Sequence, residues 1–283
     1  MAARGLVGLN GLRRVIMLAS PTTILLCFAC LAAIVGPASA QDMMRYLDLS
    51  SPDMTEAEMT RADVEATLAA ADKEHPADFT SRRLSGLDLS GLDLSHVVLR
   101  AARLNKTRLV GTRLDGAVLD QAFLLGADLS HASLKGAHIF AAQMQGAKLD
   151  GAELASARLV ADLSNASLVA ASLAGADLGA DMRNQSMGLI HAIFRSANLT
   201  GANLAGANLS HADLEFAVLK GADLSNASLD KAALAGADLT GAALSGTDFA
   251  GADLTSAKLI DPVGLDAARN LDKALNVGRA VRQ

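Results

Sequence analysis

The chain of 283 residues has no tryptophan, one tyrosine and seven phenylalanines, although 51% of its residues are hydrophobic. Any core must therefore be built from aliphatic side chains, which argues against an ordinary globular domain. The two cysteines, Cys27 and Cys30, both fall within the first forty residues. Beyond them the chain can form neither a disulfide nor a thiolate zinc site. Positive charge is also scarce. Past residue 40 there remain 22 basic and 30 acidic residues, a formal net charge of −8, and no basic stripe with interleaved aromatics, so direct nucleic-acid binding is not expected.

The first forty residues have a composition of their own. Arg4, Arg13 and Arg14 precede an apolar run from Val15 to Val35, and Ala38-Ser39-Ala40 supplies the small residues that a signal peptidase needs. The segment reads as a signal peptide cleaved between Ala40 and Gln41, which makes the protein exported, periplasmic or secreted, with no membrane span after cleavage. The run is also long enough to cross a bilayer, so an uncleaved N-terminal membrane anchor is the alternative. The sequence "RRVIM" at 13–17 resembles a twin-arginine export signal, leaving the export route open.

From residue 84 onward one feature dominates. Leucine or a similar residue recurs every fifth position from 84 to 159, then at 163, 168, 173 and 178, then from 194 to 259. Of these 34 positions thirty are Leu, the others being Ile139, Met144, Phe194 and Phe249; two residues earlier stands Ala in 27 of them. Five steps around an α-helix advance about 140° beyond a full turn and would scatter the leucines over every face. In a continuous strand an odd period would alternate them between two sides. A short extended piece followed by a bend satisfies the pattern, with Ala and Leu on one side of the extended piece and glycines such as Gly126, Gly136 and Gly146 at the bend. Identical bends close the chain into a coil whose inward residues include Leu89, Leu129, Leu168, Leu209 and Leu229.

The units "GADLS", "GANLS", "GADLT" and "GAKLD" resemble those of the pentapeptide-repeat family. That resemblance implies an all-β solenoid, a right-handed quadrilateral β-helix with four units per turn and about nine coils. The family shares a fold without a shared activity, so the resemblance says more about structure than about function. Its quinolone-resistance members imply two further readings: a homodimer through the C-terminal flank, and a DNA-mimicking inhibitor of DNA gyrase or topoisomerase as the alternative function. Taking every twentieth residue stacks Asp88, Arg108, Asp128 and Lys148 in one column and Asp93, Arg113, Ser133 and Glu153 in another. Alternating signs predict ion ladders between coils, not the continuous acidic surface of a DNA mimic.

The sequence thus divides into a signal peptide (1–40), an N-terminal flank with a capping helix (41–80), the repeat β-helix (81–260) and a C-terminal capping helix and tail (261–283). The first capping helix is predicted within 55–72 from the patterns Thr55-x-x-Glu58 and Thr60-x-x-Asp63 and from Val64, Leu68 and Ala71 at helical spacing. The second is predicted over 261–278 from Pro262, the stripe Leu265, Ala268, Leu271 and Leu275, and Gly278. Leu87, Leu92 and Val97 at the usual Ala position predict a wider first coil under a lid.

No constellation of catalytic residues, metal ligands or phosphate-binding glycines stands out. His96, His131, His138 and His211 fall on outward positions of separate coils, so neither cofactor nor metal is expected, and no enzymatic activity. The sequence reads as a structural or protein-interaction module with an unidentified protein or cell-envelope partner. The one irregularity lies between Leu159 and Phe194, which are 35 residues, or seven full units, apart although one residue is missing after Leu159. Arg183, Asn184 and Gln185 interrupt the repeat there and are the candidate interaction residues.

Overall fold

The computed structural model describes residues 48–182 and 190–282. Its backbone repeats one arrangement, which the unit Asp128–Ala132 illustrates. The N–H of Asp128 donates to Thr107 O on the preceding coil (3.0 Å), while Leu129 and His131 donate forward to Lys148 O (2.7 Å) and Asp150 O (2.9 Å) on the next. Ala132 closes the bend by donating to Leu129 O (3.0 Å). The remaining N–H, that of Ser130, goes to Asp128 Oδ1 (3.1 Å), which also accepts the Ser130 hydroxyl (2.7 Å). All five donors of the unit are thus satisfied, which a buried backbone requires. The preference for Asp or Asn before Leu, and for Ser or Thr after it, follows from that fifth hydrogen bond: Asn198 and Asp238 serve Thr200 and Thr240 in the same way.

Parallel bridges stack these units into four columns. They start at Asp78, Arg83, Asp88 and Asp93 and step by twenty residues, as in Asp78↔Val98, Arg83↔Arg103, Asp88↔Arg108 and Asp93↔Arg113. The chain is a four-sided parallel β-solenoid. The corners between consecutive columns are numbered one to four, the first lying between the Asp78 and Arg83 columns. Leu89, Leu129, Leu168, Leu209 and Leu229 are all buried along its interior, as are the alanines two residues before them from Ala127 onward. Ion pairs Asp88–Arg108 (3.5 Å) and Asp93–Arg113 (3.0 Å) link the first coils along their columns.

Outside the irregular stretch after Leu159, the corners are made by a residue in the left-handed conformation. A glycine occupies it most often, but His96, Lys106, His131 and Phe216 adopt it too, with φ near 60°. There the side chain lies over the corner of the next coil. His131 covers Gly151 so closely that an added Cβ would stand 2.6 Å from its Nδ1. Gly151→Ala is therefore expected to cost about 1–2 kcal/mol through its positive φ, and part of that loss should return in the double variant with His131→Ala. Equal losses in both backgrounds, measured by chemical denaturation, would remove the packing share of the argument.

The ends differ from the expected boundaries. The coil begins before residue 81, since Ala77 and Phe79 are buried and Asp78 opens its column. The N-terminal flank supplies a short helix, α1 (Pro52–Thr55), and a longer one, α2 (Arg61–Ala69), with a capping box between Thr60 and Asp63. Val64 on α2 is buried, and Leu68 and Ala71 pack on the core beside the half-buried Leu87 and Leu92. Thr55, expected to cap a helix, ends α1 instead, and Glu58 accepts the N–H of Arg83 (3.2 Å).

Residues 261–278 do not form the predicted α-helix. They make 3₁₀ turns at Leu265–Ala267, Leu271–Lys273 and Val277–Arg279, and Val263, Arg269, Leu275 and Val281 extend the four columns. The last coil is built of six-residue units. The apolar residues 265, 268, 271, 274, 277 and 280 recur every three positions and all pack on the core. A period of 3.0 is that of a 3₁₀ turn, not of an α-helix. Gly264, Asn270 and Asn276, each with positive φ, start the turns. Two of them fasten the coil to the one before: Asn270 Nδ2 donates to Asp248 Oδ1 (2.8 Å) and Asn276 Nδ2 to Asp253 Oδ1 (2.9 Å).

Candidate interaction site at the first corner

The irregular stretch changes the length of one corner twice. On one coil the first corner runs through β1 (His138–Gln143) and on the next through β2 (Arg158–Asp162), paired in parallel as His138↔Arg158 and Phe140↔Val160 with a register shift before Gln143↔Asp162. The step from Gln143 to Asp162 is 19 residues, so the β2 corner is one residue short. No residue from 157 to 164 has positive φ, and Val160 and Ala161 are both buried. The chain takes this corner as a continuous strand pulled inward.

One coil later the same corner is long. The columns continue from Asp162 to Ile193 and from Asp177 to Asn208, steps of 31 residues. The surplus of eleven lies between Gly179 and His191. Joined directly, those two would give "ADLG-HAIF", an ordinary unit with His at the corner as in "DLSHASL". Leu159 and Phe194 are hence five units apart, not seven. The missing residue and the eleven extra ones add up to ten, a multiple of the period, and the four columns continue past the insertion with no added side. The expectation that the register recovers within one continuous solenoid holds, since all four columns run through.

The insertion leaves the corner as an antiparallel pair: Asp181 N–H donates to Ile190 O (2.9 Å). Between its root and the wall lies a groove of about 620 Å³ lined by Asp120, His138, Phe140, Arg158, Ala180, Asp181 and Met182. Phe140 stands at the position usually held by Ser or Thr, with its N–H on Asp120 Oδ1 (3.1 Å). The Arg158 guanidinium lies 5.9 Å from the Phe140 ring centroid and pairs with Asp177. That arrangement holds the cation over the ring. Met182 is 53% exposed at the rim. Arg183, Asn184 and Gln185 lie outside the described residues, as do Ala40 and Gln41 at the expected cleavage point.

The groove combines an aromatic face, a thioether and fixed charges of both signs. Among the described residues no group of His, Cys, Asp and Glu is arranged to hold a metal ion. Phe140 and Val160 were legible as large apolar residues at outward positions, but only the stacking of coils brings them to one corner with the insertion.

The parallel bridges of the four columns, with one corner opened into a groove, define a four-sided repeat solenoid. The chain belongs to the pentapeptide-repeat family: the family's pattern, pentapeptide repeats in 8 copies, matches residues 77–116, 107–139, 192–230 and 232–261. It is 34% identical to HetL of the cyanobacterium Nostoc sp. strain PCC 7120, a pentapeptide-repeat protein involved in the regulation of heterocyst differentiation, over 80% of this chain and 98% of that one, with a TM-score of 0.42. QnrB1, a plasmid-mediated fluoroquinolone resistance protein, shares 22% identity over 68% of this chain and 90% of its own, with a TM-score of 0.44. Rfr23 from Cyanothece 51142 shares 30% identity over 43% of this chain and 64% of its own, with a TM-score of 0.20. Comparison with curated proteins gave no match.

Proposed function

We propose that the protein is an exported, non-enzymatic interaction module: a right-handed quadrilateral β-helix of about nine coils that presents its first corner to a protein or cell-envelope partner. The observation that carries this reading is the paired change at one corner, where a shortened turn and an eleven-residue insertion on the next coil enclose a groove. Binding residues concentrate on such excursions from a rigid scaffold. The small first-forty-residue segment ending at Ala40 supports export, with the mature chain starting at Gln41.

Excision of residues 180–190 tests it. The excised protein is expected to melt within a few degrees of the parent, because the joined chain forms an ordinary unit, and to lose capture of an envelope partner that the parent retains. The triple variant Arg183→Ala, Asn184→Ala, Gln185→Ala should weaken the same capture. Undiminished capture after excision, or an intact N-terminus on cytoplasmic protein, would sink the proposal.

A further inference from the structure

The second corner carries an exposed aromatic at one end and an apolar pocket at the other. Successive coils place Gly86, Lys106, Gly126, Gly146, Asn165, Ser196, Phe216 and Gly236 along this edge, all with positive φ. Phe216 is 60% exposed, whereas Phe79, Phe194 and Phe249 are buried and Phe123 and Phe140 half-buried. A bulky residue at positive φ is a costly choice at a corner that glycine fits without strain. Its ring rests on Gly236, where an added Cβ would lie 2.6 Å from Cδ1, so one side is supported and the other faces solvent.

Toward the N-terminal end the same edge borders a cavity of about 360 Å³ lined by Leu49, Met54, Thr55, Gly86, Asn105, Lys106 and Leu125. Asn105, its one amide, is fully used: Nδ2 donates to Met54 O (3.0 Å) and Oδ1 accepts the N–H of Leu125 (3.0 Å). What it offers a ligand is apolar. Lys106 at its mouth has no carboxylate within ion-pair reach among the described residues. Beside Phe216 the charge is reversed, because Asp213 and Glu215 share a single cation, Arg195 (2.7 and 3.1 Å).

We propose that two copies of the chain pair side by side and antiparallel along this edge, each Phe216 seated in the other's Leu49–Met54–Leu125 pocket and each Glu215 facing the other's Lys106. Lys106 and Phe216 are five coil steps apart, about 24 Å at the strand spacing. The two-fold axis then crosses the edge midway, between Gly146 and Asn165. The intervening Gly126, Gly146, Asn165 and Ser196 are small and let the edges approach. An isologous contact of this kind closes at two copies.

Sedimentation equilibrium of the purified protein tests it. A dimer is expected, and Phe216→Ser should weaken it by roughly tenfold or more, as loss of a buried aromatic anchor does, without lowering the melting temperature. Lys106→Glu should also weaken it, and adding Glu215→Lys should restore it. A monomer at every concentration, open polymers, or a double charge reversal that restores nothing would each overturn the proposal. So would a dimer that survives Phe216→Ser and is lost with Leu275→Asp on the last coil.

Discussion

Leu209→Asp is expected to abolish the cooperative thermal transition, whereas Leu209→Ala should lower stability by about 2–5 kcal/mol and leave a folded protein. Leu209 is fully buried on the solenoid interior, and its N–H is bound to Ser228 O (2.8 Å) on the next coil. The alanine variant leaves a cavity between neighbouring leucines. The aspartate must either bury a charge with no partner or take up a proton, and each option costs more than the cavity. Because every coil touches only its neighbours, the damage is delivered where the stack is continuous and cannot be spread through a larger core. Circular dichroism on heating reads the outcome; a transition within a few degrees of the parent would show that Leu209 does not face the interior.

Acid is expected to melt the protein for a different reason. Asn276 and then Thr255 hydrogen-bond to Asp253 and hold its carboxyl below the usual value of 3.8, and Asn270 does the same for Asp248. Burial pushes Asp128 and Asp238 up, but hydrogen bonds from Ser130 and Thr240, with nearby lysines, outweigh it. A carboxyl whose pKa is lower in the folded chain binds its proton more readily when unfolded. Its stabilisation is complete above about pH 4 and is lost as pH falls through the folded value. The expected result is a fall in melting temperature as pH drops below about 4, since one bend after another loses its ionised acceptor.

Asparagine supplies the control. Asn198, Asn203 and Asn208 take the same N–H without a titrating group. Replacing Asp128, Asp238 and Asp253 together by Asn should therefore flatten the acid dependence while keeping the fold. A triple variant that loses stability equally at pH 7 and pH 3 would show that these carboxylates are not the acid-sensitive element.

The inward leucines and alanines were legible because burial selects residue type so sharply that the period survives almost without exception. The Asp–Ser alternation was visible but its meaning was not. Sequence stacking by twenty suggests ion ladders, while the hydrogen bonds show that the carboxylate first serves the N–H two residues ahead. The last coil is disguised in the sequence because Leu265, Ala268 and Leu271 satisfy a helical stripe locally, and only the strict recurrence of three through Ala280 separates the two. The corner groove was hidden by arithmetic. A deletion of one and an insertion of eleven restore the count of fives, so the sequence looks compensated where the columns in fact step by 31 residues. Arg158, Phe140 and Asp120 come from separate coils, and their meeting depends on a register that this stretch obscures.

The way the four columns ignore the length of the first corner has a practical consequence. Coil-to-coil registry is fixed by residues 162, 167, 172 and 177 against 193, 198, 203 and 208, all outside the insertion. The segment between Gly179 and His191 is accordingly a graft point. Exchanging it for peptides of other lengths is expected to leave the four columns in register, because none of their bridges involves it.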